Sequence, residues 1–205
     1  MNVRNATKED IPFIVNAIIE IEKTSDSNTF NNLFGCDTET TRRYLTQFLN
    51  DDENLDIELS LNTYSIAEIN HQIVGCCSLI FTNHNYYQSK GELFPIWLER
   101  KHLENFVKNA NSLPDVKNTS ENKDFVEYIY VDEKSRGMGV AKKMINEQMS
   151  KISNEYVYIN VLENNISAIE YYEKIGFTKF QSLEIDNQEN KIYPCVKKLI
   201  LLKKI

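Results

Sequence analysis

The sequence predicts an α/β (α+β) fold built around a mixed sheet, and three features of the chain support this. Residues 125–162 read as an apolar strand, a glycine-containing loop, an amphipathic helix and a second apolar strand. That order implies a right-handed crossover and parallel pairing of the two strands. Residues 63–70 and 72–82 are strand-like runs joined by the tight turn Asn70-His71, which predicts an antiparallel hairpin. Residues 177–185 and 192–202 predict a closing antiparallel pair.

The first part of the chain predicts a short strand over residues 1–6 and then a helix. Thr7 and Asp10 have the spacing of a helix cap, and Pro12 lies in the first turn, where its missing amide costs little. The helical spacing is kept by Ile11, Ile14, Val15, Ile18, Ile19 and Glu22. Residues 25–35 are polar and predict a loop. A second helix is predicted from residue 37 or 38 to residue 50, with Tyr44, Leu45, Phe48 and Leu49 on one side.

The composition bounds the possible functions. A chain of 205 residues is long enough for one sizeable core, so we expect a single domain over 1–205. The formal net charge of −7 argues against general nucleic-acid binding and slightly favours a cationic acceptor. No apolar run approaches the roughly 20 residues of a membrane helix, and residues 1–10 lack an apolar signal segment. We therefore expect no membrane partner and a cytoplasmic location.

Four cysteines and three histidines give no metal or disulfide pattern. No C-x-x-C pair occurs, and the histidines have no zinc-like spacing to the cysteines, so no metal site is expected. Cys76 and Cys77 are adjacent in a predicted strand and should point to opposite faces as buried thiols. A cysteine nucleophile paired with a histidine base has no local signature here.

Residues 83–123 form a long insertion between two predicted strands. The segment contains the pair Tyr86 and Tyr87, an apolar run over 94–98, a helical run through Leu103, Phe106 and Val107, and a polar end over 118–122. One interpretation is a satellite helix that covers the sheet. The other is a lid or wall of the acceptor site, or a dimer contact.

A glycine-containing loop at the start of the third long helix predicts a phosphate site. The run is Arg136, Gly137, Met138, Gly139, Val140 and Ala141. Glycines allow close approach of a ligand to the backbone, and the helix start offers unpaired N–H groups and a positive dipole end. The Walker A pattern is absent. The dinucleotide pattern fails because residue 142 is lysine and Asn160 stands near the position where an acid is needed. The pattern R/Q-x-x-G-x-G/A fits.

With this loop the segment resembles the acetyl-CoA motif of the GNAT N-acetyltransferase superfamily. A second stretch is similar to the closing motif of that family; it contains Asn165, Ala168, Tyr172, Glu173, Lys174, Gly176 and Phe177. Arg4, Ala6, Thr7 and Asp10 also match the start of many members. The resemblance implies a mixed, mostly antiparallel sheet with a splayed parallel strand pair and flanking helices. The insertion at 83–123 is long for the family, and Glu133 stands where many members have proline.

The resemblance also implies how acetyl-CoA is held. The pantetheine arm would pair like an extra strand with the backbone of Ile129, Tyr130 and Val131. The amides of Gly137, Met138, Gly139, Val140, Ala141 and Lys142 would bind the pyrophosphate, and Arg136 would add charge. Asn165 would bond the cofactor arm, cap the helix that begins at Ile166, or do both. Lys142 or Lys143 would reach the 3′-phosphate, unless both belong to an exposed helix face.

The same resemblance implies N-acetyl transfer from acetyl-CoA to a primary amine by direct attack in a ternary complex. Glu127 would be the base, directly or through a water, unless it is a sheet carboxylate paired with a lysine or tyrosine. Tyr172 would be the acid, unless it is a core aromatic, and Tyr171 would be structural. The alternatives are a non-catalytic acyl-CoA-binding sensor or scaffold and a nucleotide-binding protein. The acceptor, a small molecule or a peptide amine, is left open, as is a possible homodimer.

Overall fold

The computed structural model describes residues 1–24, 26–110, 113, 121–185 and 192–205. Seven strands form one sheet in the order β1-β2-β3-β4-β5-β7-β6. The strands are β1 (Asn2–Asn5), β2 (Tyr64–Ile69), β3 (Gln72–Thr82), β4 (Lys123–Val131), β5 (Tyr156–Leu162), β6 (Thr178–Glu184) and β7 (Lys197–Lys204). Only β4 and β5 pair in parallel, and every other neighbouring pair is antiparallel. The predicted mixed, mostly antiparallel sheet is therefore confirmed.

Seven α-helices cover the two faces of this sheet in the described part of the chain. They are α1 (Ile11–Thr24), α2 (Thr29–Phe34), α3 (Thr38–Asn50), α4 (His84–Trp97), α5 (Arg100–Ala110), α6 (Val140–Met149) and α7 (Ile166–Lys174). Residues of α1 to α5 belong to one apolar cluster, and residues of α6 and α7 belong to a second. Cys76 lies in the first cluster and Cys77 in the second, as strand alternation predicts.

The parallel pair β4–β5 separates soon after it begins. Its register contains only Asp124 opposite Val157 and Phe125 opposite Tyr158, so the later residues of both strands face a gap. The splayed pair that the sequence resemblance implied is therefore confirmed. The β3–β4 register also shifts between Cys76 and Ser78, and Tyr128 has a φ of 48° within this irregularity. A β-bulge of this kind bends the strand and redirects the side chains beside it.

Two predicted boundaries are wrong. Residues 25–35 were expected to be a loop, but Thr29–Phe34 form α2, because Phe30, Leu33 and Phe34 are buried in the core. A six-residue helix is too short to reveal helical periodicity in a polar sequence. The last strand was expected from residue 192, but β7 begins at Lys197. Residue 25 and residues 186–191 lie outside the described residues.

The insertion packs as helices on the face that α1 to α3 also cover. Tyr86, Leu93, Phe94 and Leu98 are buried, and the rings of Phe94 and Phe106 lie 4.3 Å apart between centroids. The interpretation as a helical cover of the sheet therefore fits the described part of the insertion. The polar end predicted over 118–122 falls mostly outside the described residues.

Candidate active site

A cavity of about 780 Å³ opens where β4 and β5 separate. Its walls include nearly every site residue that the sequence predicted, namely Glu127, Ile129, Tyr130, Val131, Arg136, Gly137, Gly139, Val140, Ala141, Lys142, Asn165 and Tyr172. Met138 is the exception. Its side chain is 58% exposed, and its backbone amide donates to the Ser135 carbonyl oxygen at 3.3 Å. Met138 is therefore not part of the cavity wall, and its amide already has an acceptor.

The predicted phosphate loop forms one end of the cavity. Gly137 has a φ of 80° and Gly139 a φ of 77°, both in the left-handed region that glycine adopts without strain. Gly139 is the N-cap of α6 and offers no side-chain cap. The Lys142 amide donates to the Tyr171 phenol, so the amides of Val140 and Ala141 are the ones left to an external acceptor. Helix N-termini of this form attract anions.

Two cationic side chains lie at the cavity beside the loop, and a third lies away from it. Arg136 and Lys142 both line the cavity and are exposed. The Arg136 Nε also donates to the Val131 carbonyl oxygen at 3.4 Å. Lys143 instead donates from its Nζ to the Met1 carbonyl oxygen at 2.6 Å. Of the two lysines considered for a phosphate, only Lys142 is therefore placed at the cavity.

The exposed edge of β4 provides backbone groups for an extended ligand. The Asp132 amide donates to the Val74 carbonyl oxygen at 2.8 Å, so the backbone of residue 132 points toward β3. Because backbone groups alternate along a strand, those of Tyr130 also point toward β3, and those of Ile129 and Val131 point toward the gap. Pairing of the Tyr130 backbone with a ligand in the gap, which the sequence resemblance implied, does not fit this geometry.

Glu127 lines the cavity beside the bulge of β4. Its carboxylate Oε1 accepts a hydrogen bond of 2.5 Å from Asn160 Nδ2, which comes from β5 across the gap. One partner of Glu127 is therefore an amide, which the structural alternative considered above, a lysine or tyrosine, did not include. The Oδ1 of Asn160 is buried without a hydrogen-bond partner among the described residues. A buried unsatisfied oxygen in a cavity indicates that a ligand or water belongs beside it.

The two tyrosines of α7 have different surroundings. Burial, followed by the neighbouring Glu127 carboxylate, raises the pKa of the Tyr172 phenol. Burial also raises the pKa of Tyr171, and a hydrogen bond from the Lys142 backbone amide opposes that shift. Tyr172 therefore stays protonated beside Glu127 at neutral pH. Tyr171, expected to be structural, instead lines the cavity at the start of α6.

Asn165 caps α7 as one of the two predicted roles requires. Its Oδ1 accepts from the Ala168 amide at 3.3 Å, and the residue also lines the cavity. The cap fixes the direction in which α7 leaves β5, and α7 in turn presents Tyr171 and Tyr172 to the cavity.

A further wall of the cavity was missed by the sequence analysis. It comes from the end of α1 and the segment after it, with Glu22, Ser27 and Thr29, and from Tyr193 before β7. Burial raises the pKa of the Glu22 carboxyl to about 7, while hydrogen bonds from Phe30 and Thr29 oppose the shift. One signal for Glu22 was available, because a carboxylate at an apolar position of a helix is unusual.

Within the described residues, no helix is long and apolar enough to cross a bilayer. The same part of the chain contains no group of three or more His, Cys, Asp or Glu side chains arranged to hold a metal ion. None of Cys36, Cys76, Cys77 and Cys195 lines the cavity.

Comparison with known proteins gives a consistent result. Residues 28–177 match the sequence model of the Acetyltransferase (GNAT) family. A curated relative is spermine/spermidine N(1)-acetyltransferase of Bacillus subtilis (strain 168), which is 28% identical over 69 residues. That alignment covers 32% of this chain and 45% of the relative, so the chain spans less than half the length of this relative.

Solved structures share the fold over nearly the whole chain. An N-acetyltransferase from Staphylococcus aureus Mu50 has a TM-score of 0.74 at 14% identity, with 98% of this chain and 100% of that chain covered. A ribosomal-protein-alanine N-acetyltransferase from Brucella melitensis has a TM-score of 0.54 at 15% identity, with both chains covered at 100%. At these identities the likeness establishes the fold alone.

Proposed function

The chain belongs to the GNAT acetyltransferase family, and on that premise we propose that it transfers the acetyl group of acetyl-CoA to a primary amine by direct attack in a ternary complex. The observation that carries this proposal is one cavity that joins an anion-binding helix start, an unpaired strand edge and Glu127. A non-catalytic acyl-CoA module would need the first two features only.

The residues present fit acetyl-CoA. The amides at the start of α6 offer donors for a pyrophosphate, and Arg136 and Lys142 add positive charge at that end. The backbone groups of Ile129 and Val131 offer a donor and acceptor edge for the amides of a pantetheine arm. When bound, acetyl-CoA supplies an activated thioester beside Glu127.

In this mechanism, two side chains of the cavity move protons. Glu127 takes a proton from the attacking amine, whose nitrogen forms the new C–N bond as the C–S bond breaks. Tyr172 donates its phenolic proton to the departing sulfur, and its raised pKa keeps that proton available. The proton on Glu127 then returns to Tyr172 through solvent, so that both residues are restored. Asn160 positions the Glu127 carboxylate through its 2.5 Å hydrogen bond.

The test is release of free thiol from acetyl-CoA in the presence of a panel of amines. Spermine and spermidine are the first acceptors to include, because the Bacillus relative is named for them. Monoamines, amino acids, aminoglycosides and a peptide with a free N-terminus complete the panel. We expect amine-dependent thiol release. Binding of acetyl-CoA with no thiol release from any acceptor would instead identify a non-catalytic acyl-CoA-binding module.

The role of Glu127 is tested by Glu127→Gln, which keeps the side-chain shape and removes the base. We expect kcat to fall by roughly 10²- to 10⁴-fold, while calorimetry gives an unchanged Kd for acetyl-CoA. Glu133→Gln, at an exposed position beyond β4, is the matched control. Equal kcat for the Glu127→Gln variant and the wild type would remove Glu127 from the mechanism.

A further inference from the structure

Glu22 is a part-buried carboxylate that the reaction described above does not use. It lies two residues before the end of α1, lines the cavity, and accepts a hydrogen bond of 3.4 Å from the Phe30 amide on its Oε1. Thr29 also contributes hydrogen bonds to the carboxyl. Among the residues that the structure describes, no lysine or arginine forms an ion pair with Glu22. In the described part of the chain, the carboxylate is therefore held in place by neutral donors.

A largely desolvated carboxylate without a cationic partner among the described residues is costly to the fold, and such groups cluster at functional sites. Burial raises the pKa of Glu22 to about 7, so near neutral pH the ionised form gains strongly from any cation that reaches it. The cavity gives that access.

Glu22 lies on the Glu127 side of the cavity, away from the phosphate loop. The Phe13 ring, in the first turn of α1, contacts the Tyr130 ring at 5.9 Å between centroids, which fixes that end of α1 near the end of β4. Glu22 lies about 13 Å further along the helix, given a rise of roughly 1.5 Å per residue. Glu22 and Glu127 both raise the pKa of the Tyr128 phenol, after burial, Glu58 and Tyr64, so that phenol is close to both carboxylates.

Charged side chains of both signs line the cavity. Arg136 and Lys142 lie at the loop end, and the carboxylates of Glu22 and Glu127 lie on the side of Tyr128. Lys174 reaches the cavity from α7. Lys198 comes from β7, where it alternates in phase with Ile200, so its side chain points to the sheet face that α1 covers. An acceptor that enters beside Tyr128 therefore meets two carboxylates, of which one is needed for the reacting nitrogen.

We propose that Glu22 binds a second ammonium group of the acceptor, so that the site takes α,ω-diamines and longer polyamines in preference to monoamines. This inference rests on the transferase function proposed above. A charge-assisted hydrogen bond between an ammonium group and a carboxylate is among the stronger polar contacts in proteins. It would satisfy a carboxylate that has only neutral donors among the described residues.

The experiment compares α,ω-diamines of three to six carbons, and spermidine, with monoalkylamines of the same lengths. For the wild type we expect kcat/KM for the best diamine to exceed that of its monoamine by about tenfold or more. Glu22→Gln should reduce this ratio by about tenfold through KM, with kcat changed less than about twofold. The substituted amide still offers an oxygen to the Phe30 amide, and an unchanged Kd for acetyl-CoA checks the fold.

The matched control is Glu20→Gln on the same helix. Glu20 accepts from Lys23 Nζ at 2.6 Å and does not line the cavity, so its replacement removes the same charge without touching the site. We expect the diamine-to-monoamine ratio of Glu20→Gln to equal that of the wild type.

Two kinetic outcomes would overturn the inference while leaving the transferase proposal intact. One is equal kcat/KM for diamines and monoamines with the wild type. The other is an equal loss of kcat on both amine classes in Glu22→Gln, which would place Glu22 at the reacting nitrogen. Absence of thiol release from every amine would refute the transferase proposal instead. In that case, the role of Glu22 is decided by measuring spermidine binding by calorimetry. Loss of binding in Glu22→Gln would support the proposed ammonium site at Glu22, and unchanged binding would refute it.

Discussion

Replacing Glu22 by glutamine should stabilise the protein, and the gain should grow with pH. The folded-state pKa is about 7 against an ordinary value of 4.5, so the folded protein holds this proton more tightly than the unfolded chain does. Below about pH 4.5 the carboxyl is protonated in both states and contributes no difference. Between about pH 4.5 and pH 7 the wild type loses stability as pH rises. Above pH 7 the full cost of ionising Glu22 in the folded protein is present.

The size of the effect follows from the pKa difference. Each pKa unit corresponds to about 1.36 kcal/mol, so the rise from 4.5 to about 7 sets an upper value of about 3 kcal/mol at pH 8. Part of the Glu22 side chain reaches the cavity, where water screens its charge. We therefore expect Glu22→Gln to raise the free energy of unfolding by about 2 kcal/mol at pH 8 and by only about 0.5 kcal/mol at pH 5.

The assay is urea unfolding, monitored by the fluorescence of Trp97. Trp97 is the one tryptophan of the chain, and it packs against the core cluster that α1 also joins. Measurements at pH 5 and pH 8 without ligand, with Glu20→Gln as the control, isolate the effect of burial. An equal stability difference at the two pH values would refute the reasoning, since a constant gain would have to come from packing and not from ionisation.

Three further substitutions test other parts of the site. Tyr172→Phe should lower kcat by about tenfold or more with the Kd of acetyl-CoA unchanged, and an unaltered rate would assign Tyr172 to packing. Gly139→Ala forces a φ of 77° on a residue with a Cβ, so calorimetry should show acetyl-CoA binding weakened by about 1–2 kcal/mol; wild-type affinity would contradict the loop assignment. Gly75→Ala places a Cβ 2.7 Å from the Tyr130 carbonyl oxygen; it should lower the free energy of unfolding by about 1–3 kcal/mol, and an unchanged urea midpoint would show that β4 can yield.

The phosphate loop could be predicted from the sequence because its determinants are local. Gly137 and Gly139 allow the turn, and apolar residues from Val140 onward repeat at helical spacing, so strand, loop and helix follow in the order observed. The separation of β4 from β5 came only from the family resemblance. Nothing in either strand's own composition shows where their pairing ends.

The missed features depend on contacts between distant parts of the chain. The left-handed backbone of Tyr128 arises from the register of β4 against β3, and a tyrosine carries no signal for it. The Glu127–Asn160 bond joins two strands at a level where they no longer pair. Glu22 faces the cavity because α2 folds back against the end of α1, and α2 itself is too short to be read from its sequence.

The two register pairs between β4 and β5 have a consequence for the whole domain. Within the described residues they are the only strand pairing between two half-sheets, β1–β4 and β5–β7, and beyond them the two strands separate and line the cavity. A ligand at a hundred times its Kd adds about 2.7 kcal/mol to a folded protein, which is comparable to the penalty calculated for Glu22. On the proposed function, we therefore expect bound acetyl-CoA to join the two halves more firmly and to raise the free energy of unfolding of the protein.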